Sequence, residues 1–77
     1  MANGQEVAGD KMRRARLRNG WTLRDVTQRC AGLGTPVDFG NLARYERGEI
    51  RPNPGTLLVI ARALDLDIDD LLAASSR

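Results

Sequence analysis

The sequence predicts an all-α fold, a compact domain of five short helices. Three observations carry that prediction. Residues that favour helix starts (Asp10, Thr22, Asp38, Asn53 and Asp67) recur along the chain, and apolar residues follow each at helical spacing. Glycine or proline punctuates the stretches between them. No segment alternates apolar and polar residues over a strand's length, and no repeat or low-complexity tract interrupts the pattern.

Residues 1–9 are polar and glycine-containing and read as a flexible arm, ahead of a domain at 10–72 and a C-terminal tail at 73–77. Asp10 can cap a first helix that runs to Asn19, with Met12, Ala15 and Leu17 for packing and Gly20 as its stop. Thr22 caps the second helix. Asp25 stands three residues later as its capping-box partner, in place of the longer Glu or Gln. Leu23, Val26 and Cys30 form that helix's apolar stripe. The segment "AGLGTPV", Ala31 to Val37, reads as a turn, because its glycines and proline break any helix. Asp38 caps the third helix, Leu42 and Tyr45 share one face of it, and Gly48 ends it. Asn53 followed by Pro54 opens the fourth, since proline is tolerated at the first helical position. Leu57, Ile60, Ala61 and Leu64 then recur at core spacing. Asp67 with Asp70 opens a fifth helix that returns Leu71 and Leu72 to the bundle. Helices this short are marginal alone, so packing must hold them.

Composition narrows the function. Seventy-seven residues make one small domain. Histidine is absent and Cys30 is the single cysteine, so no disulfide or cysteine–histidine zinc site can form within the chain. A lone thiol on an apolar stripe suits the reducing cytoplasm, and no run is long and apolar enough for a membrane span or, at Met1 to Asp10, a signal peptide. No nucleophile–base pair is visible, so an enzyme is not expected, nor any cofactor. The acids of "DLDIDD" are read as helix-capping residues rather than metal ligands. Net charge is only +2, but its distribution is uneven: +6 between Lys11 and Arg51, and −2 on either side. A basic centre of this kind is compatible with a polyanion footprint.

Three segments sharpen that reading. In "RLRNGWTLRDV", Arg16 is followed by the step Gly20–Trp21–Thr22 into helix two; "LARYERG" spans Leu42 to Gly48; "RPNPGTLLVIARALDLDIDDLL" spans Arg51 to Leu72. In this order the chain resembles the lambda repressor/Cro-type (XRE-like) helix-turn-helix family, from about Asp10 to Leu72, with "LARYERG" similar to that family's "ISRIERG". There are three departures. About five extra residues, Ala31 to Thr35, enlarge the turn between helices two and three. Leu23 stands where a phosphate-clamping Gln is common, and Gly40 where a base-reading side chain is usual.

The resemblance implies a lambda-repressor-like DNA-binding domain whose third helix enters the major groove while the start of helix two approaches the backbone. By position, Phe39, Gly40 and Arg44 face base edges. Arg44 can donate a bidentate pair to guanine. Phe39 either packs on a thymine methyl or anchors the enlarged turn to the core. Thr22, Asn41, Arg47, Arg51, Arg13 and Arg24 are the backbone-contact candidates. Arg16 and Glu46 are expected to pair across helices one and three, and Trp21 and Tyr45 to support the fold. The implied function is sequence-specific recognition of double-stranded DNA by a transcriptional regulator, a repressor of phage or mobile-element type. It would act in the bacterial nucleoid, or in host cytoplasm if phage-encoded. Two-fold dimerisation would use the fifth helix and tail, or contacts formed on DNA. A protein-binding module on the same fold, such as an antitoxin or a regulator-capturing protein, is the alternative.

Overall fold

A computed structural model describes residues 3–75 of the chain. Among them are five helices and no strand: α1 (Gly4–Arg18), α2 (Leu23–Gly32), α3 (Phe39–Arg47), α4 (Pro54–Ala63) and α5 (Ile68–Ser75). α1 packs on α3 and α5, α2 on α3 and α4, and α4 on α5. Every helix contributes to one core, in which Met12, Val26, Cys30, Leu42, Ile60, Leu64 and Leu71 are fully buried. Burial pushes the Cys30 thiol above its ordinary pKa, with the charge of neighbouring Arg29 opposing the shift, so the thiol is a neutral packing group.

The cap residues act as expected at four helix starts. Thr22 Oγ1 accepts from Asp25 N–H at 3.1 Å and Asp25 Oδ2 accepts from Thr22 N–H at 2.8 Å, so the short acid still closes the capping box. Asp38 accepts from Asn41 N–H, Asn53 from Thr56 N–H, and Asp67 from Asp69 N–H. Gly48 ends α3 in the left-handed conformation, with φ of 74°.

The start of α1 differs from the expected arm. The helix begins at Gly4, capped by Asn3, whose Oδ1 accepts from Glu6 N–H at 2.8 Å. Asp10, the expected cap, lies exposed inside the helix and pairs with Arg14 four residues on, at 2.8 Å. The physical reason is a close helix crossing. A β-carbon at Gly9 would sit 2.4 Å from the carbonyl oxygens of both Tyr45 and Glu46, and one at Gly48 would sit 2.7 Å from Glu6 Cγ. Gly9, which makes this end of the sequence look flexible, is thus, with Gly48, what lets α1 lie directly on α3. Gly9→Ala is expected to force the helices apart and lower stability by about 1–3 kcal/mol, as overpacking does; a thermal melt no lower than that of the parent would contradict it.

Smaller differences follow the same logic. Ala31 and Gly32 belong to α2, so the turn starts at Leu33. Val37, 5% exposed, anchors that turn in the core, a task Phe39 does not share. Leu17 and Leu72, expected to pack, are exposed. Residues 73–75 of the expected tail complete α5, and the remainder of that tail and the first two residues lie outside the described residues.

Candidate nucleic-acid interface

The bihelical unit α2–turn–α3 is fixed from below by one polar tie. Arg16 Nε and Nη2 donate to Glu46 Oε2 and Oε1 at 2.8 and 3.1 Å, while Nη1 donates to the Trp21 carbonyl at 3.0 Å. The two side chains are only 13% and 6% exposed. Hydrogen bonding to Glu46 outweighs desolvation and holds the Arg16 pKa above its already high ordinary value. One guanidinium therefore joins α1, α3 and the residue just before the α2 cap. A second arginine locks the far side: Arg29 stacks over the Trp21 ring at 4.0 Å and donates to the Ala63 carbonyl at the end of α4 at 2.7 Å. Trp21 is half-buried between these contacts, and Tyr45 packs partly against the core.

At the start of α2, the capping box satisfies the amides of Thr22 and Asp25. The amides of Leu23 and Arg24 lie in the first turn, where no intrahelical acceptor exists, at the positive end of the helix dipole. Two amides, the Thr22 hydroxyl proton and the exposed Arg24 side chain are together suited to a phosphate group.

On α3, Leu42 is fully buried and defines the inward face. Gly40, Arg44 and Arg47 then fall within an arc of about 60° on the opposite side, at roughly 3.6 residues per turn. All three are exposed. Arg44 makes no ion pair among the described residues, whereas Arg47 Nε is paired with Glu49 at 2.6 Å on the surface. Asn41 is half-buried, its own N–H bound to the α3 cap. Phe39, the first residue of α3, is 49% exposed and lies in one open depression with Leu17, Gly20, Thr22, Leu23 and Arg24. It sets the start of α3 beside the start of α2.

The fold does not gather every candidate there. Arg51 lies against the start of α1, beside Asn3, Gly4 and Gln5. Arg13 is exposed on α1, on the side of that helix nearer α3. The sequence reading missed Leu17 as a surface residue and Arg29 as a lock. For Arg29 a signal existed, a cation in the last turn of a helix whose neighbour must end nearby; for Leu17, apolarity pointed inward. Among the described residues no group of three or more His, Cys, Asp or Glu side chains could hold a metal ion. No helix there is long and apolar enough to cross a membrane.

Comparison with known proteins gives a consistent picture. Residues 7–74 match the family model described as a helix-turn-helix domain. The chain is 37% identical over 68 residues to the transcriptional regulator ClgR of Mycobacterium tuberculosis, in both the CDC 1551 / Oshkosh and H37Rv strains. That match takes in 88% of this chain and 56% of the relative, so the chain spans about half the length of the curated relatives it matches. Among solved structures, the clp gene regulator ClgR from C. glutamicum superposes with a TM-score of 0.78 at 25% identity, over 99% of this chain and 92% of that one.

Proposed function

This chain belongs to the helix-turn-helix domain family, in its XRE-like form, and on that premise we propose that it is a DNA-binding transcriptional regulator of the lambda repressor/Cro type. The observation that carries the proposal is the presence together of a donor-rich α2 start, with exposed Phe39 beside it, and an outward α3 face bearing Arg44. α3 enters the major groove. Arg44 reads a base edge there, with guanine the best match for its planar fork. Thr22, Arg24 and the free amides of α2 hold a phosphate beside it. Arg47 reaches the backbone after giving up its exposed pair with Glu49, an exchange of small cost for a solvated ion pair. Asn41, on α3, contributes a further backbone contact, and Arg13 and Arg51, which lie on and against α1 away from this surface, reach the backbone beyond it.

Gly40 lets the α3 backbone approach the groove without supplying a reader of its own. Specificity therefore falls on fewer side chains than in a helix that reads with every outward position. Two copies bound on a two-fold site, one helical turn apart, provide the remaining discrimination. Repression follows where such a site overlaps a promoter, in a bacterial or phage-infected cytoplasm.

Selection from a randomised duplex pool, followed by titration of the recovered sequence at several salt concentrations, tests this. A defined sequence should emerge, with affinity falling steeply as salt rises. Recovery of no sequence, with equally weak binding to all duplexes, would overturn the proposal.

A further inference from the structure

The depression that contains Phe39 has a composition that phosphate binding does not explain. Leu17 and Phe39, 50% and 49% exposed, are two of the large apolar side chains the described residues leave in solvent, and they line the same hollow as half-buried Leu23. Beside them in the same hollow stand groups of a different character: Thr22, the Arg24 cation and the first-turn amides of α2. Apolar surface next to cationic, donor-rich groups suits an apolar group carried on a polyanion. A bare phosphate has no use for the apolar side chains, and an uncharged peptide none for the cation. Among the groups that duplex DNA presents in the major groove, the C5 methyl of thymine is the apolar one. Leu23 points the same way, because at that position an amide side chain would have added a phosphate donor.

We infer that Leu17, Leu23 and Phe39 form a receptor for the C5 methyl of a major-groove pyrimidine, so that this methyl is a specificity determinant at one position of each half-site. The inference rests on the DNA-binding reading above. It assigns Leu17 and Leu23 a part in recognition, and it makes binding sensitive to cytosine methylation as well as to thymine, since 5-methylcytosine carries its methyl at the same ring position.

The test changes the DNA and leaves the protein alone. In the duplex recovered by selection, each thymine is replaced in turn by deoxyuridine, which lacks only the methyl. One position per half-site should lose about four-fold in affinity, the equivalent of one buried methyl group, and the others should lose nothing. In a duplex with cytosine at that position, 5-methylcytosine should recover about four-fold over cytosine. Phe39→Ala, its fold checked by thermal melting, should bind the thymine and deoxyuridine duplexes equally. If a specific duplex is bound but every deoxyuridine and 5-methylcytosine duplex binds like its parent, the receptor is overturned while the DNA reading stands. The same holds if folded Phe39→Ala keeps the preference. If no duplex is selected at all, both fall.

Discussion

Glu46→Gln should lower the unfolding free energy by about 3 kcal/mol, near the bottom of the range for breaking a buried ion pair. The carboxylate accepts two of the Arg16 hydrogen bonds, and an amide can replace only one acceptor while leaving the guanidinium largely desolvated and without its counter-charge. For a domain of this size that corresponds to a fall of roughly 12–24 °C in melting temperature. The sign of the Arg16 shift fixes the pH behaviour. Its folded-state pKa is raised, so its contribution is complete at and well above neutral pH and is lost only in strong alkali. The melting deficit of Glu46→Gln should therefore stay constant between about pH 6 and 9. Pairing Arg16→Met with Glu46→Leu should restore much of the stability, because an apolar pair removes both desolvation penalties. An unchanged melt for Glu46→Gln would show that the pair does not hold α1 against α3.

Arg44→Ala should do the reverse, leaving the fold intact and removing recognition. The side chain is exposed, on the face opposite Leu42, and no ion pair among the described residues depends on it. Its loss should cost about 1–3 kcal/mol at one base position, roughly 5–150-fold, with specificity relaxed there and the melting temperature unchanged. Arg44→Lys should recover part of the affinity and little of the specificity, since a point charge cannot reproduce the fork. Arg62→Ala, at an exposed position on α4, is the matched control and should bind as the parent does. Equal losses for Arg44→Ala and Arg62→Ala would mean that only overall charge matters.

Local chemistry made most of the fold legible. Thr22, Asp38, Asn53 and Asp67 each announce a helix because a short polar side chain before an apolar stripe has few other uses. The first turns of α1 were hidden because Gly4 and Gly9 lower helix propensity, and the close α1–α3 crossing that requires Gly9 is a tertiary fact. Leu17 and Leu72 were misplaced for a related reason: apolarity predicts burial, and surface exposure has no sequence signature. The same limit applies to the interface. The family resemblance implied Phe39, Gly40 and Arg44 as base-facing residues, but that Phe39 shares a hollow with Leu17 and the start of α2 depends on how three helices meet. Arg29 shows the converse, a cation inside the basic centre that the fold uses for Trp21 and the end of α4.

The most direct measurement is a map of backbone amide chemical shifts as the selected duplex is added to the isotope-labelled protein. Amides of Leu23, Arg24, Gly40 and Arg44 should move most, while those along α5 and at Arg62 stay in place. Shifts confined to α5, or to the Lys11, Arg14 and Arg18 side of α1, would contradict DNA recognition by α3.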